Sequence, residues 1–159
     1  MAEFNGVPNG AGRRYAVLVS RFNDHVTSKL ADGAMDALIR HGCAAEDVDL
    51  VTVPGAWELP FAARRLAATE RYNALIVLGA VIRGETPHFD FISAEASRGL
   101  LDASSDYDIP IGFGLLTCDT IEQAEARAGG DHGNKGWDAA IAALEMSDLF
   151  ERLDGAETG

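Results

Sequence analysis

LGAVIRGETPHFD, residues 78–90, is the stretch that decides the predicted fold. It begins as the end of an apolar run that starts at Ala74, and it becomes polar abruptly at Arg83. Buried parallel strands leave their sheets in this way. Pro87 then presets a helical φ angle, so we expect a helix from His88 onward. Because open α/β sheets bind ligands at the carboxyl ends of their strands, this turn is the first candidate for a site.

The rest of the chain alternates between strand-like and helix-like segments. Strands are predicted at 15–20, 48–53, 74–82 and 110–117, and helices at 24–41, 58–69, 88–104, 120–128 and 134–153. Asn23 or Asp24 is the expected cap of the first helix, and Gly42 its stop. This alternation is typical of a parallel sheet covered on both faces. The sequence therefore predicts an α/β fold, a flavodoxin-like three-layer α/β/α sandwich with a four-stranded parallel sheet.

The composition restricts the domain count and the partners. A chain of 159 residues, 47% of them hydrophobic, is long enough for one complete core and too short for two comfortable ones. We divide it into an arm at 1–12, one domain at 13–154 and a tail at 155–159. The net charge of −12 argues against nucleic acid and anionic membrane surfaces. Apolar runs all fall short of the ~20 residues of a membrane span.

The cysteines and the first residues predict the location. Cys43 and Cys118 lie far apart and outside any CxxC pair, which indicates reduced thiols in a cytoplasmic protein. Residues 1–12 have neither the basic nor the apolar segment of a signal peptide, so we expect the chain to stay where it is made. This Gly-, Asn- and Pro-rich arm is expected to order only against a partner. His, Cys and carboxylate residues show no metal-site spacing.

Two strand-to-helix turns carry unexpected aromatic rings. Phe22 stands in the first turn, either as part of a site or as a hydrophobic staple onto its own helix. Ala56, Trp57 and Glu58 occupy the second turn. Glu58 is either a ligand contact or a solvated partner of the helix dipole. Trp57 is harder to dismiss, because an indole exposed at a turn needs a reason.

The third turn has the parts of a phosphate site. The N–H groups of a helix N-terminus, the flexible Gly84 and the hydroxyl of Thr86 together suit an anion. His88 follows, and imidazoles are suited to proton transfer near neutral pH, although a polar cap is the alternative. Arg127 and Lys135 are candidate supplementary cations, and each is otherwise an ordinary surface charge.

Several nucleotide motifs are excluded. Gly10-Ala11-Gly12 precedes the first strand, whereas a dinucleotide fingerprint follows it. Gly133-Asn134-Lys135-Gly136 does not have the spacing of a P-loop. A flavodoxin would need a Ser/Thr-rich phosphate loop directly after the first strand, where this chain has SRFNDH. An FMN electron-transfer module is therefore disfavoured.

Five segments together resemble the lumazine synthase family in order and spacing: RFN at 21–23, VPGAWELP at 53–60, LGAVIRGETPHFD at 78–90, PIGFGLLT at 110–117 and NKG at 134–136. The resemblance extends from about Arg14 to Leu153. It implies condensation of 5-amino-6-(D-ribitylamino)uracil with 3,4-dihydroxy-2-butanone 4-phosphate, the penultimate step of riboflavin biosynthesis. It also implies that no metal and no organic cofactor takes part.

The resemblance assigns roles to particular residues. Phe22 is expected to stack on the pyrimidine, with Val81 and Ile82 lining it. The ring and its ribityl chain are expected to be held by Ala56, Trp57 and Glu58. Phosphate is expected on Gly84, Glu85, Thr86 and Arg127, and His88 is the expected proton-transfer residue. Phe113, Arg127 and Lys135 are expected to come from a neighbouring subunit.

Assembly is also implied by the resemblance. Family members form pentamers with shared active sites, and the short turn from Gly129 to Gly133 resembles that of members that build sixty-subunit icosahedral shells. The arm is expected to add a strand to a neighbour's sheet, and association with riboflavin synthase is a further expectation. The rival function is a shell or pentamer that stores a lumazine or flavin without catalysis. Such a protein would be expected to have lost His88, Arg127 or Lys135, and all three are present.

Overall fold

The computed structural model describes residues 1–158, with side chains as far as Ala156. Within this range six strands and five α-helices follow one another. They are β1 (Tyr15–Ser20), α1 (Asp24–Arg40), β2 (Val48–Val53), α2 (Leu59–Ala68), β3 (Ala74–Ile82), α3 (His88–Tyr107), β4 (Ile111–Cys118), α4 (Ile121–Ala126), β5 (Ala128–Gly130), β6 (Gly133–Asn134) and α5 (Lys135–Thr158). Single 3-10 turns at Ala45–Asp47 and Ala56–Glu58 precede β2 and α2.

The central sheet confirms the predicted fold. Its strand order is β2-β1-β3-β4, and every pairing is parallel. The two central strands are the most buried, because β1 is buried throughout and β3 is buried up to Ala80. Strand order reverses between β1 and β3, since β2 lies on one side of β1 and the chain then returns to its other side. In flavodoxin-like sheets a ligand crevice lies at this reversal.

Alternate residues of each central strand build two separate cores. Tyr15, Val17 and Val19 of β1 face a core closed by α1 and α5. Ala16 and Leu18 face the opposite core, which α2 and α3 close. The period of two follows from the pleat of a strand, and each fully buried Leu or Val stabilises the fold by roughly 1.5–3 kcal/mol. The three-layer α/β/α sandwich is therefore a consequence of apolar residues on both faces of β1 and β3.

The ends of α1 show one confirmed and one altered prediction. Gly42 ends the helix with φ +100°, and the N–H of Cys43 donates to the carbonyl of Leu38 at 3.0 Å, as in a Schellman motif. At the other end Asn23 occupies the cap position with φ +63°, but its side chain does not cap the helix. Its amide instead donates to the carbonyl of Ala80 at 3.1 Å. Asn23 thus ties the end of β1 to the end of β3.

Several element boundaries differ from the prediction. α3 continues to Tyr107, and α5 continues to Thr158 through most of the segment predicted as a tail, of which Gly159 lies outside the described residues. The residues that extend these helices beyond the prediction, at 105–107 and 154–156, are exposed, so the added turns do not enlarge the core. The predicted turn at 129–133 belongs to a small antiparallel hairpin of β5 and β6. No helix within residues 1–158 is both long enough and apolar enough to cross a bilayer.

Part of the arm is ordered against its own chain. The N–H of Val7 donates to Asp148 of α5 at 2.8 Å, and the N–H of Gly10 donates to the carbonyl of His41 at 2.8 Å. Arg13, only 8% exposed, bonds Asp148 and Glu151. The expectation that a partner is needed to order this segment is therefore wrong from about Val7 onward. Residues 1–12 form no strand in this single chain.

Candidate active site

A groove of about 430 Å³ lies where β1, β2 and β3 end. It is lined by Phe22, Gly55, Ala56, Trp57, Ala80, Val81, Ile82, Gly84, Thr86, His88, Phe89 and Ile92. Three different strand-to-helix turns contribute to it. Parallel strands bring those turns to one edge of the sheet, and the groove lies at the reversal of strand order.

Two exposed aromatic rings stand over the groove. Phe22 is 70% exposed and Trp57 is 54% exposed. The backbone beneath Phe22 is held, because its N–H donates to the carbonyl of Pro54 at 3.0 Å. A staple onto α1 would bury the ring, so that alternative for Phe22 is not supported. Rigid rings held open to solvent beside an apolar groove are suited to stacking on a planar ligand.

The second turn places a carboxylate at the rim of the groove. The 3-10 turn Ala56–Glu58 leads directly into α2, and Glu58 stands at the cap position with no side-chain cap bond. Its Oε1 lies 3.4 Å from the point where a Cβ on Gly55 would sit. Glu58 does not itself line the groove, but Gly55 does. Its carboxylate is half-buried and reaches back toward that wall.

The third turn presents hydrogen-bond donors that the chain leaves unused. Among residues 1–158, Gly84, Glu85 and Thr86 make no hydrogen bond, either through the backbone or through a side chain. A Cβ at Gly84 would meet no atom within 4 Å, so the turn is open. Thr86 lines the groove, whereas Glu85 does not. Free N–H groups beside a helix start form a favourable anion site.

His88 is the first residue of α3 and is exposed to solvent. Its imidazole has no hydrogen bond or ion pair to any residue in the range 1–158. The alternative of a polar cap is therefore not supported. The ring borders the groove between Thr86 and the buried Phe89.

Arg83 braces this turn from outside the groove. Its Nε donates to Asp119 at 2.7 Å, and its Nη1 lies 3.5 Å from Asp90. The guanidinium carbon stands 4.5 Å from the ring centroid of Phe89. The backbone N–H of Arg83 donates to the carbonyl of Cys118 at 2.9 Å. Arg83 therefore joins the end of β4 to the first turn of α3.

A second groove, of about 290 Å³, runs along the edge strand β4. Its lining includes Phe113, Arg127 and Lys135, and it shares no lining residue with the first groove. Arg127 and Lys135 are neighbours because the N–H of Lys135 donates to the carbonyl of Arg127 at 2.9 Å. The Arg127 side chain donates to the carbonyl of Gln123 at 3.0 Å, and Lys135 lies 3.5 Å from Asp138.

The two thiols are unsuited to catalysis. Cys43 and Cys118 are both free and buried. Burial raises the pKa of Cys118, which lines the second groove, and raises that of Cys43 to about 11. The thiolate form is therefore scarce at neutral pH. Over residues 1–158, His, Cys, Asp and Glu do not come together in groups of three or more that would hold a metal ion.

The sequence-based candidates fall into two sets. The first groove brings together Phe22, Ala56, Trp57, Val81, Ile82, Gly84, Thr86 and His88, while Glu58 and Glu85 lie beside it. The second groove brings together Phe113, Arg127 and Lys135. The sequence interpretation missed Ala80, Phe89 and Ile92. Ile92 lies four residues after His88 on α3, so helical spacing was a usable signal for it.

Comparison with known proteins gives one consistent result. The sequence profile of the family described as 6,7-dimethyl-8-ribityllumazine synthase matches residues 12–151. A 6,7-dimethyl-8-ribityllumazine synthase of Gemmatimonas aurantiaca is 60% identical over 152 residues, covering 96% of this chain and 93% of the relative. A protein of the same name from Syntrophus aciditrophicus is 55% identical over 142 residues, covering 89% of this chain and 92% of the relative.

Proposed function

The chain belongs to the 6,7-dimethyl-8-ribityllumazine synthase family, and from this premise we propose that its first groove is half of a shared active site. The chain is a transferase of riboflavin biosynthesis. It condenses 5-amino-6-(D-ribitylamino)uracil with 3,4-dihydroxy-2-butanone 4-phosphate to give 6,7-dimethyl-8-ribityllumazine, phosphate and water. The proposals that follow concern which residues carry out this reaction.

The pyrimidine substrate stacks on Phe22. This assignment is supported by the 70% exposure of the ring and by its held backbone. Val81 and Ile82 line the ring, and Ala56 and Trp57 hold it from the second turn. Glu58 accepts hydrogen bonds from ribityl hydroxyls, which suits a carboxylate at the rim with no partner among residues 1–158.

The leaving phosphate binds on the third turn. Gly84, Glu85 and Thr86 donate to it through their unused N–H groups, and Thr86 adds its hydroxyl. The N-terminus of α3 contributes a favourable dipole. Arg127 of a neighbouring subunit supplies the cation, which the acidic chain needs because its net charge of −12 opposes an anionic substrate.

His88 transfers the protons of the reaction. The ring amine attacks the ketone, and water leaves as the imine forms. A proton then leaves the adjacent carbon, the phosphate departs, and the ribitylamine closes the second ring with loss of water. His88 is supported as the base and acid of these steps by its exposed, unbonded imidazole between the phosphate turn and the aromatic walls. Holding two substrates together contributes the larger part of the acceleration.

The observation that carries the enzyme assignment is the free His88 beside the unused donors of the third turn. The test mixes the purified protein with both substrates and records lumazine fluorescence and phosphate release. Product should form well above the spontaneous background, and the two signals should rise together. Background rates in both signals would contradict catalysis and would favour a storage protein.

The second groove completes the site of an adjacent subunit. This proposal is supported by the separation of Arg127, Lys135 and Phe113 from the first groove within one chain. A homopentamer closes such a head-to-tail arrangement, so each subunit gives one half-site and receives the other. Pentamers further assemble into the sixty-subunit icosahedral shell, and the residues before Val7 add a strand to a neighbour's sheet.

Mixed assemblies test the shared site directly. Co-expressed His88→Ala and Arg127→Ala subunits should form rings in which about a quarter of the sites contain both intact halves. The mixed sample should therefore exceed the mean activity of the two pure variants. Activity equal to that mean would place both residues in one subunit's site, and sedimentation of the same sample would separate a pentamer from a shell.

Two further proposals concern the cellular context. The free thiols of Cys43 and Cys118 fit a reducing compartment, which supports a cytoplasmic location. Association with riboflavin synthase would carry the lumazine product to the next reaction. Co-sedimentation of the assembled protein with riboflavin synthase tests this association, and two independent sedimentation boundaries would contradict it.

A further inference from the structure

Arg83 lies between two carboxylates beside the proposed phosphate seat. Asp119 follows β4 directly, and Asp90 is the acidic residue in the first turn of α3. The guanidinium contacts both, at 2.7 Å and 3.5 Å, and covers the ring of Phe89 at 4.5 Å. All three charged side chains remain between about half and two-thirds exposed. Arg83, Asp90 and Asp119 together carry a net charge of −1, whereas the two carboxylates without Arg83 would carry −2.

The carboxylate of Asp90 competes with an incoming phosphate. An acidic side chain in the first turn of a helix interacts favourably with the same dipole that attracts a bound anion. A phosphate dianion near that turn is also repelled by any uncompensated carboxylate. The chain as a whole carries a charge of −12, so there is little positive field to offset this repulsion.

We infer that Arg83 is a positioning and charge-compensating residue for the phosphate-bearing substrate, because it holds Asp90 and Asp119 in ion pairs beside the phosphate turn. The inference rests on the proposed role of Gly84, Glu85 and Thr86, and it requires no contact between Arg83 and the substrate. The hydrogen bond to Asp119 raises the pKa of Arg83, so the compensating charge is present at every working pH.

The experiment uses the assembled protein and inorganic phosphate as an inhibitor competitive with the four-carbon phosphate. Arg83→Gln should raise the inhibition constant of phosphate about three- to fivefold, and raise the KM of the phosphate-bearing substrate similarly. The KM of the pyrimidine should stay within about twofold. Arg83→Lys should recover most of the effect since it restores the charge. Asp90→Asn in the Arg83→Gln background should also recover it.

Arg64 provides a matched control at the other end of α3. It lies 2.8 Å from Asp106 and stands over the ring of Tyr107 at 5.3 Å, so its chemistry is similar to that of Arg83. Arg64→Gln should leave all three constants unchanged. A phosphate inhibition constant within twofold of wild type in Arg83→Gln would overturn the inference.

Two other outcomes are also decisive. An equal rise in both KM values that neither Arg83→Lys nor Asp90→Asn reverses would show that Arg83 only maintains the fold, which also overturns the inference. Failure of inorganic phosphate to compete with the four-carbon substrate in the wild-type protein would show that the phosphate seat itself is wrong. That result separates failure of the proposed function from failure of the role of Arg83.

Discussion

The two ends of the same four strands differ in how their polar groups are satisfied. At the amino end Arg13 bonds Asp148 and Glu151, and the hydroxyl of Tyr15 lies 2.7 Å from that of Ser147. At the carboxyl end, within residues 1–158, the turn from Gly84 to Thr86 has unused donors, and the exposed imidazole of His88 has no partner. Polar groups that the chain satisfies by itself serve stability, whereas those left open are available to substrates and neighbours.

The largest expected effect lies at the carboxyl end. His88→Ala should slow turnover by about 10² to 10⁴-fold, because general acid–base catalysis is lost while substrate positioning remains. Thermal unfolding should not change, since the imidazole makes no contact that holds the fold. Turnover and melting temperature measure the two quantities.

His25→Ala is the control for that variant, because His25 is an exposed histidine lying 4.0 Å from Glu125. It should keep wild-type turnover. Complete loss of activity in a folded, correctly assembled His88→Ala protein would contradict the assignment of most of the acceleration to substrate positioning.

Arg13→Ala should produce the reverse pattern at the amino end. The side chain is 9% exposed, and its loss leaves Asp148 buried with fewer compensating partners. We expect the free energy of unfolding to fall by about 3 kcal/mol, with turnover per folded site unchanged. Urea denaturation at a fixed subunit concentration measures the change.

Arg14→Ala gives the matched comparison, since its side chain is 43% exposed and pairs with Asp47 and Asp49. Arg14→Ala should lower the free energy of unfolding by less than about 1 kcal/mol. Equal costs for the two variants would remove the proposed difference between buried and exposed pairs.

Alanine substitutions at two glycines test whether a position serves substrate binding or stability. Gly84→Ala should leave stability unchanged, because a Cβ there meets no atom within 4 Å, yet it should raise the KM of the phosphate-bearing substrate about tenfold by obstructing the phosphate. Gly112→Ala should instead destabilise the fold, because its Cβ would lie 2.1 Å from the carbonyl oxygen of Ala139. Substrate kinetics and thermal unfolding of both variants are the measurements, and an unchanged KM for Gly84→Ala would argue against phosphate at this turn.

The smallest expected effect is on the stability of the fold at acidic pH. A hydrogen bond from Arg152, followed by one from the N–H of Val7, lowers the pKa of Asp148 to about 2, from 3.8. A carboxylate with a lowered pKa stabilises the folded state above its unfolded pKa, and this contribution is lost as the pH falls from about 4 to about 2. We expect a loss of about 1 kcal/mol over that window, because Arg152 is partly exposed. Asp148→Asn should flatten this part of the stability profile measured by denaturation, and an unaltered profile would contradict the assignment.

The fold could be predicted largely from local patterns. Strands β1, β2 and β3 have the predicted limits because their apolar runs are bounded by turn residues. The hairpin of β5 and β6 was missed, since two glycine-rich strands of three and two residues have no hydrophobic period. The ordering of the arm was missed because it depends on Asp148, which is 141 positions from Val7.

The candidate site could be predicted in part. Phe22, Trp57, Thr86 and His88, which line one groove in the structure, could be singled out because each is an unusual residue in a turn that follows a strand. Phe89 was missed because it is an apolar residue at a position where helices usually bury one. Arg83 was missed as a brace, since its partner Asp119 lies 36 positions away on another element. From the sequence, only the family resemblance predicted that Arg127 and Lys135 belong to a different half-site from Phe22 and His88. Hydrophobic periodicity contains no information about a neighbouring chain.

Helix α5 has a consequence for heat inactivation. It starts at Lys135 in the second groove and carries Asp148 and Glu151 at the amino end of the sheet, about 20 Å away at 1.5 Å per residue. One continuous helix therefore carries both Lys135, a residue of the proposed second half-site, and the ion pairs that anchor Arg13. If the proposed shared site is correct, thermal loss of these distant ion pairs would also displace the helix that carries Lys135. Catalysis should accordingly cease in the same temperature interval as helical circular dichroism, without a preceding phase in which a folded protein is inactive.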